Sequence, residues 1–473
     1  MSDRMNRMKM IASALSLMLL SACAVGPDYV RPTVEVPAAF KESAGWKMAE
    51  PRDQEIHGKW WEIYNDPLLN SLEEQVSISN QNLAQAEARY RQASALVQSA
   101  RANYYPTVTG NASTTRGNRG NSGNSIITPN TSENHSLSVS ANWEIDLWGR
   151  VRRTVEANQA SAQASAADLE ATRLSTQAQL AQSYFQLRTV DTQQELFDRT
   201  VADYQKSLQL TQNQYAAGIV PNANIVLAQT QLKTTQAQLV DLGIQRAQLE
   251  HAIALLIGKP ASTFSIAHAP LAAITPSLPV GLPSSLLERR PDIAAAERRI
   301  VAANAQIGIA KTAYFPDLTL GATGGFQGSS FANWLTLPNR FWSVGPALAM
   351  TLFDGGARRA QTDQAIANYD ANVAAYRQTV LTGFQEVEDN LAALRLLEQE
   401  AQLQDEALQA ARKSVELTTN QYRSGIVSYL NVITVQTTAL GNERTALDIQ
   451  SRRLAASVLL IKALGGGWEA GKK

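Results

Sequence analysis

Leu137-Ser-Val-Ser-Ala-Asn-Trp-Glu-Ile-Asp-Leu147 alternates without interruption between apolar and polar side chains. A period of two over such a length makes a β-strand with one apolar and one polar face. Length and pattern match a transmembrane barrel strand, with lipid against one face and water against the other. One leaf of a soluble sandwich gives the same alternation, but this stretch joins helical modules and has no partner sheet beside it in sequence. Ahead of it Thr107–Ser113 alternate polar and small residues, across a Gly/Ser/Asn-rich loop from Arg116 to His135. The pattern returns with Leu318, Leu320 and Ala322, then Trp342, Val344, Leu348, Met350 and Leu352 on one face. Trp143, Trp148, Trp334 and Trp342 fall near strand or loop ends, where an interfacial aromatic belt places them.

Outward from the strands the chain is helical. Residues 68–103 contain neither Gly nor Pro and carry Leu68, Leu72, Val76 and Leu83 at helical spacing, so one helix is expected, stopped by Tyr105-Pro106. Residues 150–217 also lack Gly and Pro, which makes about 100 Å of continuous helix. Gly218 to Pro221 reverse the chain and 222–257 return. Residues 357–424 repeat the long helix with only Gly383 inside, and the helix before them contains Pro291 and Gly308. Runs such as Ala160-Ser-Ala-Gln-Ala-Ser-Ala-Ala167 are small and polar around the whole circumference, unlike a one-sided core helix. They suit sideways packing with water on both sides; a long exposed coiled coil reads the same way.

The halves are copies. Glu87-Ala-Arg89 and Tyr104-Tyr105-Pro106 recur as Glu297-Arg-Arg299 and Tyr314-Phe315-Pro316, a shift of 210. Asn213-Gln-Tyr-Ala-Ala-Gly218-Ile219-Val220 recurs as Asn420-Gln-Tyr-Arg-Ser-Gly425-Ile426-Val427, a shift of 207 that Leu256-Ile-Gly258 and Ala463-Leu-Gly465 keep. The period is too long for a solenoid. The expected organisation is a leader over 1–22, an extended N-terminal segment over 23–67, a first repeat over 68–283 with its hairpin at 105–148, a second over 284–468 with its hairpin at 315–354, and a tail over 469–473.

Arg4, Arg7 and Lys9, the apolar run Ile11–Leu20 and Leu20-Ser-Ala-Cys23 have the order of a secretory leader, too short to span a bilayer. Cys23 is the single cysteine, so no intramolecular disulfide forms. The whole chain has zero formal net charge. Removing a leader of net +2 leaves a mature charge of −2, which offers nothing to nucleic acid.

Four strands cannot close a membrane barrel, and open sheet edges cannot sit in lipid, so the chain must oligomerise. Two copies would supply 8 strands and three would supply 12; the pattern does not choose.

The assembled order resembles the outer membrane efflux protein family, the TolC-like exit ducts, and within it the lipoprotein branch. The pieces that carry the resemblance are Cys23-Ala-Val-Gly-Pro-Asp-Tyr-Val-Arg-Pro32, Trp60-Trp61 with Asp66-Pro67-Leu68, Glu288-Arg-Arg-Pro-Asp-Ile293, the twin Tyr-x-x-Gly turns and Leu464-Gly-Gly-Gly-Trp468. The resemblance implies a mainly α fold in which duplicated helical hairpins form a trimeric α-barrel, plus a 12-stranded transmembrane β-barrel. It implies covalent lipid on Cys23 as the only attached group, contact with outer-membrane lipid, and a location in the outer membrane of a Gram-negative bacterium reaching into the periplasm. It further implies a periplasmic adaptor, met by the tips Gly218, Ile219, Val220, Gly425, Ile426 and Val427, and an inner-membrane resistance-nodulation-division transporter. The implied periplasmic gate holds Leu430, Asn431 and Thr434, with Tyr422 and Asn224 at positions that hold the closed state. Some relatives carry carboxylates where Asn431 and Thr434 stand, so here Leu430 is the expected steric block.

No enzyme is expected. His57, His135, His251 and His268 lie far apart without metal-ligand spacing, and Glu144 and Asp146 are read as lumen lining. Gly324-Gly325 and Gly465–Gly467 do not open helices as a phosphate loop must. A duct for polypeptide export and a pore-less periplasmic scaffold remain the alternatives.

Overall fold

The computed structural model describes residues 25–43, 59–118, 131–271, 276 and 289–466. Cys23, His57, Glu288 and Trp468 fall outside the described residues. The elements are α1 (Pro67–Ser79), α2 (Gln81–Ala102), β1 (Thr107–Asn118), β2 (Thr131–Glu144), α3 (Arg150–Ala216), α4 (Asn222–Leu256), α5 (Pro291–Thr312), β3 (Asp317–Gly328), β4 (Arg340–Ala349), α6 (Ala357–Arg423) and α7 (Tyr429–Ala463). The fold is mainly α with one four-stranded sheet.

The repeats do not fold as separate bodies. One compact unit comprises 1–33, 89–166 and 295–376, the other 34–88, 167–294 and 377–473, and each takes pieces of both copies. The first unit holds the sheet, antiparallel in the order β1-β2-β3-β4. Its register aligns Val108 with Ala141, Leu137 with Phe326, Trp143 with Leu320, and Leu318 with Leu348, so one apolar face runs across all four strands. Val139, Trp342, Val344 and Leu348 are exposed on that face. The opposite face carries Thr109, Ser138, Ser140, Asn142 and Thr323. The alternation ends at Glu144 rather than Leu147, because the Asp146 carboxylate accepts the Val151 and Arg152 backbone N–H groups at 3.0 and 2.9 Å and caps α3. Glu144 pairs with Arg150, so both carboxylates fasten the strand-to-helix corner, and only Glu144 stands on the polar face. Met350 and Leu352 likewise lie beyond β4.

The helix expected over 68–103 is two, α1 and α2, broken at Asn80 within the second unit. Asn80 is extended between α1 and α2 without any Gly or Pro. Its side chain accepts the Leu83 N–H at 3.1 Å and donates to the Leu256 carbonyl at 2.7 Å, so one asparagine both starts α2 and ties down the end of α4. The second copy does the same with Arg290, which reaches the Ala463 carbonyl at 3.3 Å, Glu386 at 2.6 Å and Asp292. Gly258 and Gly465 follow those helix ends at φ +70° and +92°, and a Cβ on either would overlap a backbone carbonyl oxygen, of Ser79 or of Arg289. Trp60 and Tyr64 are buried, the Tyr64 hydroxyl bonds Ser457 at 2.7 Å, and Asp66 caps α1 while accepting from Tyr184 at 2.6 Å. Asp191, almost fully buried, is satisfied by Arg188 and Arg246. The quoted family motifs are thus fasteners.

Glu73 on α1 is buried and neither carboxylate oxygen has a partner. Burial alone holds its pKa well above the usual carboxylate range. Below about pH 4 the carboxyl is protonated folded and unfolded. As pH rises the unfolded chain releases the proton first, so stability must fall from there toward neutral. Glu73→Gln is expected to abolish this decline in denaturant midpoints measured from pH 4 to 7. Gly258→Ala is expected to cost about 1–3 kcal/mol in the same assay, through left-handed strain and the overlap with Ser79.

Candidate periplasmic gate

The second unit also contains the two helical turns. α3 and α6 both end in a glycine at φ +72°, Gly218 and Gly425. Gly218 and Ile219 N–H groups donate to the Tyr215 and Gln214 carbonyls at 2.8 and 2.9 Å; Gly425 and Ile426 repeat this on Tyr422 and Gln421, both at 2.9 Å. Each is a Schellman turn, which requires a residue free to adopt positive φ. It leaves Ile219 and Ile426 exposed at the tips.

Just beyond the turns the copies diverge, and the residues expected at the gate stand there, on the first turns of α7. Leu430 is exposed on the first turn of α7. Asn431 accepts from the Ser428 hydroxyl at 3.2 Å, and Thr434 donates back to the Leu430 carbonyl at 2.9 Å, so both polar side chains are engaged locally. Tyr422 donates to the Gln214 side chain at 2.8 Å, joining α6 to α3. Asn224 is only partly buried and stands outside that bond: within the chain the partner of Tyr422 is Gln214.

Sequence reasoning passed over Tyr429. It is buried, forms a cluster with Ala228 and Val432, shares a 2.8 Å hydrogen bond with Ser207, and packs against Tyr422 with the rings tilted and their centroids 5.3 Å apart. Burial raises the pKa of both hydroxyls, so both stay neutral. The signal was present: at the shift of 207, Tyr429 stands where the first copy has Asn222.

Elsewhere, His268 lies 3.2 Å from Asp191 and His135 is bonded to Thr114, and among the described residues no group of three His, Cys, Asp or Glu could hold a metal ion. No described helix is long and apolar enough to cross a membrane.

The family profile described as "Outer membrane efflux protein" matches twice, over residues 72–259 and 282–466. The chain belongs to the outer membrane efflux protein family. It is 29% identical to the pyoverdine export outer membrane protein OpmQ of Pseudomonas aeruginosa over 98% of both chains, and 30% identical to the toluene efflux pump outer membrane protein TtgI of Pseudomonas putida over 96% and 97%. The solved outer-membrane channel OprN superposes with a TM-score of 0.87 at 31% identity, covering 94% of this chain and all of that one. The chain is therefore a TolC-like protein of the Gram-negative outer membrane, the outer-membrane exit duct of an efflux pump, and its relatives are channels.

Each neutral tyrosine bond contributes on the order of 1 kcal/mol. Tyr422→Phe with Leu430→Ala is expected to raise the conductance of the resting channel severalfold in planar bilayers, and adding Tyr429→Phe to raise it further; unchanged conductance in the triple variant would remove these residues from the gate.

Proposed function

We propose that three copies of the chain close a 12-stranded barrel and a helical duct through which small molecules leave passively, handed over by a periplasmic adaptor and an inner-membrane resistance-nodulation-division pump. One observation carries this reading: the four-stranded sheet has an apolar face, and among the described residues it leaves β1 and β4 each with one edge unpaired. Lipid does not satisfy backbone N–H and C=O groups, so those edges must find strands of other copies. The exposed Ile219, Ile426 and their glycine turns are the adaptor contacts.

The lipid anchor on Cys23 fits the same arrangement. Val25 N–H donates to the Trp148 carbonyl at 3.2 Å, and Trp148 itself stacks on Phe315 at 4.7 Å and donates to Pro316 at 2.8 Å, at the helix end of the sheet. A lipid carried two residues before Val25 is expected to anchor the chain on that side of the sheet. No substrate pocket is needed. Relatives of similar identity are named for pyoverdine export and for toluene efflux, and neither name assigns a cargo to this chain.

The purified acylated protein is expected to give discrete single-channel steps after reconstitution and to retain adaptor and pump on copurification. An acylated oligomer with no conductance would count for the pore-less scaffold. Copurification with a protein-exporting pump instead would favour polypeptide secretion.

A further inference from the structure

Two glycines, Gly110 of β1 and Gly324 of β3, interrupt the apolar face of the sheet on either side of Val139. Gly324 faces outward between Val139 of β2 and Trp342 of β4, and its missing side chain leaves a groove of about 520 Å³ walled also by Leu137 and Phe326. At one end of this apolar groove stands Arg340, exposed and without an ion pair among the described residues. Arg116, on the same face of β1, is by contrast paired with Glu133 at 3.4 Å.

The chain fixes which end that is. β1 follows α2 and β3 follows α5, while β2 and β4 lead into α3 and α6, so the four helices that adjoin the sheet join it at one end and the β3–β4 loop lies at the other. Arg340 opens β4 at the hairpin end. The β3–β4 loop turns aromatics onto the outward face there: Phe331 and Trp334 lie 5.3 and 6.1 Å from His135, and a Cβ on Gly328 would meet Trp334 at 3.0 Å. Aromatic rings at that level mark the boundary between hydrocarbon and headgroups. A free guanidinium beside them, above a slot shaped for a hydrocarbon chain, is complementary to a phosphate carried on an acyl lipid.

We propose that this groove binds a phosphorylated glycolipid of the outer leaflet, one acyl chain lying along Gly324 and its phosphate held by Arg340. The proposal rests on the reading that the sheet crosses the outer membrane with this face toward lipid. Two variants test it. Arg340→Gln removes the phosphate contact. Gly324→Val fills the slot, and its Cβ has room, with the nearest atoms at 3.7 and 3.8 Å.

Binding of bisphosphoryl lipid A, of the same lipid stripped of phosphate and of phosphatidylethanolamine would be measured by native mass spectrometry on the intact acylated oligomer, with single-channel recordings of each variant. The wild type is expected to prefer the phosphorylated lipid, Arg340→Gln to lose that preference by about tenfold, and Gly324→Val to bind all three lipids less, with channel steps unchanged in both. Equal binding of phosphorylated and stripped lipid by the wild type, or wild-type binding by both variants, would overturn the proposal while channel steps persist. Absence of channel steps in the wild type would overturn the membrane-spanning reading beneath it.

Discussion

Everything in this chain depends on hydrogen-bonding groups that it cannot satisfy alone. A four-stranded sheet with an apolar face belongs against hydrocarbon, yet it has two edges of bare N–H and C=O groups, and in lipid each unsatisfied group costs several kcal/mol. A single copy is therefore an incomplete object. The duplication meets half of the need by supplying two hairpins per chain, and oligomerisation must supply the rest.

The same economy governs the helices. Their apolar residues are buried in patches, among them Leu180, Phe185 and Leu187 of α3 and Val380, Val387 and Leu391 of α6, and discrete fasteners fix the helix ends between them. Asn80 and Arg290 hold the ends of α4 and α7, Gly258 and Gly465 let those ends approach a neighbouring carbonyl, and Asp191 is clamped by two arginines. The turns at Gly218 and Gly425 are near-identical, but the residues after them differ. Only the second copy places a buried tyrosine, Tyr429, against α3 and an exposed leucine, Leu430, beside it. A duct built from equivalent hairpins can move one hairpin selectively only where the copies differ.

Much of this was legible in the sequence because its signals are periodic. Alternation from Leu137 gave the strand and its lipid face, and the absence of Gly and Pro gave α3 and α6 to within a residue or so. What escaped reading was set by single side chains acting across the fold. Asn80 breaks a helix without any breaker residue because its amide has two partners to satisfy, one of them 176 positions away. Asp146 ends the alternation early because it caps a helix. Tyr422 pairs with Gln214, a glutamine in a helix rich in glutamines, and nothing local singles it out.

The central claim is that β1 of one copy pairs with β4 of the next. Within a chain those strands are separated by β2 and β3, about 14 Å at the usual strand spacing, beyond the reach of a disulfide. Cysteines placed on the polar faces, Thr109→Cys in β1 with a scan from Phe341 to Ala347 in β4, can therefore join only different copies. Under oxidation in outer membranes at least one pair should give covalent dimers and trimers on a non-reducing gel, with the ladder stopping at three. Monomer at every position of the scan, or a ladder ending at another number, would contradict the account.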